Sequence, residues 1–463
     1  MRFWTRLLVV AGLQAVAVPN WVYATTINER ESKPSCTKSV VPGQSIQKFL
    51  YKPVAGDVIC VHPGTYHETL SIAASGTADA AIVIRGEGGR PVIDGQYTLP
   101  AENKMDYSKP RLGCPGMIDG KMPDGAPTKM HFECTGYYPL VRLAGSYITF
   151  EGFEVVNSTG AGISAVSKSP HNNITIRNNY VHSVRDNGIL LWQVDHGVVE
   201  HNEVADAQNF APFWRDGFAL SWGSGIGAYA SHFIEFNANV IHDNWGDALL
   251  VDINKGGSTD ITIADNILYQ NYSSNGIYAH AVKRLLMRRN LMYCPTMSSM
   301  PSASSLLVAP TERQYVEDID TEDVIVENNI FVGCPKAHVV LWDTKPQGRL
   351  ISNLVFANNT IYGGGTSVAF RSQGQGFVEK FSLSNNLIVN ATFSVPGFAS
   401  SNNRTLSVEE ETGFLGIDGK GAFPTVLAAG TVDPQWFRIR NYSGVGADVS
   451  GFRKAGLLPA SGP

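Results

Sequence analysis

One phrase recurs along most of this chain and limits what it can fold into. It reads Ile174-Thr-Ile-Arg-Asn-Asn179, Val198-Val-Glu-His-Asn202, Ile234-Glu-Phe-Asn-Ala-Asn239, Ile261-Thr-Ile-Ala-Asp-Asn266 and Leu285-Leu-Met-Arg-Arg-Asn290. Val324-Ile-Val-Glu-Asn-Asn329, Leu354-Val-Phe-Ala-Asn-Asn359 and Phe381-Ser-Leu-Ser-Asn-Asn386 continue it, and an earlier copy, Ile148-Thr-Phe-Glu-Gly-Phe153, lacks the asparagine. From Asn179 the intervals are 23, 37, 27, 24, 39, 30 and 27 residues, so the short ones define a repeat and the long ones carry insertions. Each phrase alternates apolar and variable positions, the period of a strand with one buried face. A unit this short cannot hold a core alone, and copies must stack to share one. Asparagine at the strand end tolerates a left-handed turn, and its amide can bond the equivalent amide of the next copy. These features predict an all-β chain, a right-handed parallel β-helix solenoid with rungs ~4.8 Å apart. A leucine-rich horseshoe would need Leu-x-x-Leu-x-Leu phrases, which are absent.

Composition agrees. Length alone would suggest two or three domains, but charged residues make up only 17% of the 463, against a usual ~25%. A hydrophobic content of 43% excludes a disordered chain, and a net charge of −5 without a basic cluster excludes a nucleic-acid binder. Met1–Arg6 carries two arginines, Leu7–Val18 is apolar and Val22-Tyr23-Ala24 has a cleavage-site pattern, so residues 1–24 read as an export signal. No later run is long enough for a transmembrane helix. The expectation is a secreted or periplasmic monomer with one domain over residues 25–463. Within it, residues 25–145 form an N-terminal cap and first rungs, 146–395 the asparagine rungs and 396–463 a C-terminal cap.

Ser45-Ile-Gln-Lys-Phe-Leu-Tyr51 reads as a short amphipathic capping helix over the first rung. Ala55-Gly-Asp-Val58, Pro63-Gly-Thr-Tyr66, Ser75-Gly76 and Ile82-Val-Ile-Arg-Gly86 follow. Through these residues the N-terminal part resembles secreted β-helix polysaccharide lyases of the alginate-lyase and chondroitinase-B group, within the pectate-lyase-like superfamily. Gly444-Val-Gly-Ala-Asp-Val-Ser-Gly451 resembles the closing segment of bacterial β-helix proteins. Cys294 and Cys334 fall at nearly equivalent places on consecutive rungs, which makes a disulfide geometrically reasonable. Proximity in sequence suggests Cys114–Cys134 and Cys36–Cys60.

Stacking also lines up the outward positions. A second strand follows each anchor, with Ile189, Ile226, Leu249, Ile277, Val339 and Val368 pointing inward. Three residues further on, an outward column holds Trp192, Tyr229, Asp252, His280, Trp342 and Arg371, beside a parallel column of Leu190, Gly227, Leu250, Tyr278, Val340 and Ala369. Aromatic faces pack against sugar C–H surfaces, and charged groups orient hydroxyls or carboxylates. Trp192, Tyr229, Tyr278 and Arg371 are therefore candidate binding residues. Trp214 and Trp222, within and just after the inserted Gln208–Gly217, join them as walls of a groove. The same rings also serve to pack loops against a solenoid.

Asp252 and His280 should meet on adjacent rungs, where a carboxylate orients an imidazole for general-base work. Lys255 lies three residues past Asp252, and a lysine near acidic groups is the usual base for uronate β-elimination in the resembled families. Asp243 and Asp247, with Asp216 from the insertion, are candidate calcium ligands, since calcium takes six to eight oxygens. Asp-Asp, Gly-His-Gly, Asp-Pro-His-Asp and Arg-x-Pro-x-x-Arg are all absent, so no single family's catalytic residues transfer. The expected function is a lyase acting on an acidic, uronate-containing polysaccharide. A glycoside hydrolase using Asp216, Asp247 and Asp252, or a non-catalytic polysaccharide-binding or export module, are the alternatives. Seven Asn-x-Ser/Thr sequons accompany the general richness in asparagine.

Overall fold

Successive rungs run strand, turn, strand, turn, strand, and equivalent strands stack into three long parallel sheets, here A, B and C. The computed structural model describes residues 34–96, 120–121, 127–128, 139–167, 170–208, 223–252, 256–271, 275–294, 304–310, 319–334, 337–342, 350–363, 368–373, 378–392, 399–407, 432–439 and 443–458. The chain divides into two units, Met1–Ser35 and Cys36–Pro463, and all the described secondary structure lies in the second. The expected signal segment and the Cys114–Cys134 pair fall outside the described residues.

The register follows the repeated phrase. In sheet A, Ile148, Ile174, Gly197, Ile234, Ile261, Leu285, Val324 and Leu354 lie opposite one another in turn. They line one continuous core with inward residues of the other sheets, among them Val155, Leu191, Leu249 and Phe331. The result is the right-handed parallel β-helix expected from the repeat.

The turn from sheet A to sheet B divides its work between two residues. Strain falls on the residue before the ladder asparagine: Asn178, His201, Ala238, Asp265, Arg289, Asn328, Asn358, Asn385 and Asn402 all have φ between 51° and 59°. The asparagine itself is the polar link. Asn179, Asn202, Asn239, Asn266, Asn290, Asn329, Asn359 and Asn386 are fully buried. Each Nδ2 donates to the Oδ1 of the next, at 2.8–3.2 Å, and the series closes on Asn403, a ninth member that the repeated phrase did not disclose. At the other end, Phe153 takes the ladder position, and its backbone N–H donates to Asn179 Oδ1. Gly152 there supplies the left-handed turn, φ 81°.

The ends are closed differently. Ser45 caps the N-terminus of the helix Ile46–Phe49. Ile46 and Leu50 enter the core, while Gln47 exchanges two hydrogen bonds with the backbone of Ser71 on the edge strand of sheet C. The Cys36–Cys60 disulfide ties the segment leading into the first strand to the second strand of sheet A. Cys294–Cys334 joins consecutive rungs, with Cα atoms 4.6 Å apart.

At the far end, Ala399–Ser401 and Arg404–Leu406 add a last strand to sheets A and B. The described C-terminal residues then do something other than cap that rung. Residues 443–458 run back along the side of the solenoid. Gly446 N–H donates to the carbonyl of Asn385, Asp448 to Asn328 Oδ1, Arg453 to Asp265 Oδ1, Gly456 to the carbonyl of Ala238 and Leu458 to Asn178 Oδ1. The left-handed turn residues thus double as anchors. The physical reason is an apolar outer face on sheet B, where Val240, Tyr269, Leu291, Tyr293, Ile330 and Val332 are covered by Val432, Phe437, Ala447, Val449 and Phe452.

Asn266 accepts from the N–H and Nδ2 of Asn239 and donates to Phe236, Ala264 and Asn290. Asn266→Ala strands several buried groups, each costing about 1–3 kcal/mol. Urea unfolding should show a loss of about 3–5 kcal/mol for Asn266→Ala and a clearly smaller loss for Asn403→Ala at the half-exposed end of the ladder. Equal losses at both positions would contradict the account of the ladder.

Candidate functional site

Sheet C carries the outward columns, and the structure revises their register. Trp192, Tyr229 and Asp252 are in line on consecutive strands, and Leu250 pairs with Tyr278 on the next, which puts His280 beside Asp252. His280 then faces Ala309, on a strand Ser304–Ala309 that the sequence count passed over. Insertion of residues ahead of that strand moves it beyond the spacing of its neighbours. Trp342 faces Gln373, and Arg371 faces Val340. Arg371 thus belongs to the Tyr278 column, displaced by two residues because the preceding loop is longer than counted.

Four consecutive rungs therefore bring together Trp192, Tyr229, Asp252, Tyr278 and His280. The Trp192 and Tyr229 rings stack with centroids 5.5 Å apart, and Tyr278 stacks on His280 at 5.4 Å. His280 Nδ1 lies 2.5 Å from Asp252 Oδ1. The pair is sunk below the surface, with His280 1% and Asp252 6% exposed. The next rungs of this face are apolar, with Leu307, Ala309, Ala337 and Val340 packed against Tyr278 and Trp342. Arg371 lies three rungs beyond Tyr278, roughly 14 Å along the stack. Lys255, Trp214, Trp222 and Asp216 lie outside the described residues.

Of the acidic residues read as calcium ligands, Asp243 and Asp247 fall at different points of the rung, and Asp216 lies outside the described residues. Asp247 starts the strand that Asp252 ends, and its Oδ1 accepts hydrogen bonds from the backbone and side-chain amides of Asn275, as one link of a second turn ladder. Asp243 lies on the turn beyond sheet B and holds His242 Nδ1 at 2.6 Å. Among the described residues, one group of three has metal-ligand spacing, Cys36, Cys60 and Glu87, and both cysteines are spent in a disulfide.

A second polar cluster, on the outer face of sheet B, escaped the sequence reading. Glu154, Tyr180 and Glu203 are in line on successive strands. His182 Nε2 is 3.1 Å from Glu154, while His242 is held between Glu203 at 3.3 Å and Asp243. Tyr180 stacks on His182 and Tyr269 on His242. Burial pulls the His242 imidazole down, but its bonds to Asp243 and Glu203 outweigh that and raise its pKa. Burial also raises the Tyr180 phenol, reinforced by Glu203 and Glu154. Arg90, whose charge faces both glutamates, has a buried Nη1 without a hydrogen-bond partner. The signal available in the sequence was the column itself, polar at Glu154, Tyr180 and Glu203 and apolar from Val240 through Ile267 to Leu291.

His338 adds a titrating group to sheet C. It is fully buried, neither ring nitrogen has a hydrogen-bond partner, and burial pushes its pKa down to about 3. The unfolded chain therefore binds a proton that the folded chain refuses, so the contribution is full above about pH 6.5 and is lost as pH falls toward 3. Between pH 7 and pH 4 the wild type should lose about 3 kcal/mol more stability than His338→Leu. Urea midpoints at the two pH values test this, and identical pH slopes for both proteins would refute it.

Among the described residues, no helix is long and apolar enough to cross a membrane. A family model described as "Right handed beta helix region" matches residues 132–291. No curated protein sequence matches the chain. Among solved structures, the chain is similar to an alginate lyase from Paenibacillus sp. str. FPU-7, at 13% identity over 74% of this chain and 100% of that one, TM-score 0.45. A mannuronan C-5 epimerase A-module from Azotobacter vinelandii aligns at 14% identity over 76% and 91%, TM-score 0.46. The pectate lyase Pel9A aligns at 14% over 92% and 90%, TM-score 0.45.

Proposed function

We propose that this chain is a polysaccharide-active enzyme that cleaves an acidic, uronate-containing polymer by β-elimination. The observation that carries the reading is the Asp252–His280 pair, set one rung beyond the stacked Trp192 and Tyr229. Rings of this kind take up the C–H face of a sugar, and an imidazole held by a carboxylate is a general base. With Nδ1 turned to Asp252, Nε2 is the atom to receive the C5 proton of the uronate. The electrons of that C–H bond form the C4–C5 double bond as the C4–O4 bond breaks, and O4 leaves with a proton from an acid. The neighbouring Tyr278 hydroxyl is the acid in this scheme. Burial favours the pairing, because a low dielectric strengthens the hydrogen bond. Lys255, three residues after Asp252, is retained as a second base, and Arg371 as the partner of a carboxylate further along the polymer.

A glycosidase is the second reading, and Glu154 and Glu203 favour it over the aspartates named from sequence. They flank Tyr180 two rungs apart, roughly 9–10 Å, near the upper end of the ~6.5–9.5 Å separation of inverting enzymes.

Incubation of the purified protein with alginate, polygalacturonate and chondroitin sulfate separates the readings. The expected result is ultraviolet absorbance from an unsaturated uronate, lowered about 10²–10⁴-fold by His280→Ala in protein that unfolds at the wild-type temperature. New reducing ends without that absorbance, abolished by Glu203→Gln, would replace the lyase with the hydrolase. Binding without products would reduce the chain to a carbohydrate-binding module.

A further inference from the structure

From the rung of Ile148 to that of Phe381, sheet A enters its strands through a kink at one fixed position. Tyr147, Asn173, His196, Phe233, Asp260, Arg284, Asp323, Asn353 and Lys380 occupy it, with φ between 52° and 63°. Asparagine, aspartate and histidine tolerate this left-handed conformation, whereas a bulky residue there is an outlier. Two aromatic residues, Tyr147 and Phe233, nevertheless stand there; Tyr147 is partly buried, and of the two the exposed ring is Phe233. It is also one of five exposed large hydrophobic residues among those described, at 48%. Its ring stacks on His196 of the preceding rung, with centroids 4.7 Å apart and planes 17° from parallel. His196 is itself more than half exposed, and its Nδ1 lies 3.2 Å from Asp195. A strained backbone that presents an aromatic ring to solvent loses on both counts unless the ring has work to do.

The position of the pair suggests that work. His196 and Phe233 follow Trp192 and Tyr229 by four residues on the same two rungs, just past the corner between sheets C and A. Two stacked aromatic pairs thus flank one corner. Beyond Phe233 the kink column becomes polar. Asp260 is held by the Arg284 guanidinium, and Asp323 accepts from Asn353. An aromatic face continued by oriented carboxylate, guanidinium and amide groups suits a ligand with both C–H faces and hydroxyls.

We propose that His196 and Phe233 form a further carbohydrate-binding subsite, which stacks a pyranose ring of a polysaccharide chain that reaches around the corner from Trp192 and Tyr229. The inference rests on the polysaccharide reading above and extends it to a surface outside the Asp252–His280 pair.

Phe233→Asn tests it, because asparagine suits the kink and removes the ring without a folding penalty. The full-length protein and the variant are compared by affinity electrophoresis in gels containing alginate, polygalacturonate or chondroitin sulfate, with thermal unfolding measured in parallel. Tyr51→Asn, at an exposed aromatic beside the capping helix, is the control. The expected result is that Phe233→Asn unfolds at or above the wild-type temperature while its Kd weakens roughly two- to tenfold, the range for one aromatic contact. Tyr51→Asn should keep the wild-type Kd. If Phe233→Asn binds like the wild type, or if Tyr51→Asn weakens binding equally, the subsite is wrong and the polysaccharide reading stands. If the wild type is retarded by none of the three polymers, both fall.

Discussion

A parallel β-helix must turn a corner three times per rung without leaving backbone amides unpaired in its interior, and the asparagine ladder is how this chain meets that demand at one corner. Each buried amide accepts from its predecessor's backbone and side chain and donates to its successor. A turn alone would leave those groups stranded, and a buried unpaired amide costs more than one hydrogen bond returns. The ladder therefore fixes the height of every rung, and the sheets on either side inherit its register. Insertions are tolerated elsewhere because they leave this column intact: intervals range from 17 to 39 residues, yet the amide contacts stay within 2.8–3.2 Å.

The same column organises the outer surface. The residue before each asparagine is held in a left-handed turn that points it outward, and the returning C-terminal segment uses several of these residues as hooks. Sheet B is apolar where that segment lies and polar beyond it. Val240, Leu291 and Ile330 are covered, whereas Tyr180 and Glu154 belong to the rungs at and beyond its last described hook, Asn178. Glu203 lies one rung before that hook, where the apolar column gives way to the polar one. The outer face of a sheet is thus built to match what covers it.

This division explains what could be read in advance. The fold, the ladder, the Cys294–Cys334 bond and the approach of Asp252 to His280 depend on residues at nearly constant offsets from an asparagine, and counting finds them. The capping helix is legible from its own amphipathic pattern. The strand Ser304–Ala309 was passed over because inserted residues move it off that count. Arg371 was placed two residues out of register for the same reason. The ninth ladder member, Asn403, sits in a segment without the alternating apolar phrase. The sheet B cluster depends on groups far apart in sequence, such as Arg90 and Glu203, and on a C-terminal segment whose path no periodicity reveals.

The kink of sheet A shows how function and strain can be separated in a repeat. Where one position recurs with the same backbone, the other rungs act as controls for each residue found there. Asparagine and aspartate fill the kink at Asn173, Asp260, Asp323 and Asn353 because their side chains lower the cost of a positive φ. Tyr147, His196, Arg284 and Lys380 show that the position also accepts other side chains, but the Tyr147 ring is only partly exposed. Phe233 is the large apolar ring at the kink that is exposed, on the rung that also carries Tyr229, and it stacks on the rung that carries Trp192. Backbone physics gives no reason for an exposed ring at this position, whereas stacking against a ligand does, and the coincidence of the two aromatic pairs on adjoining sides of one corner ties that ligand to the groove of sheet C.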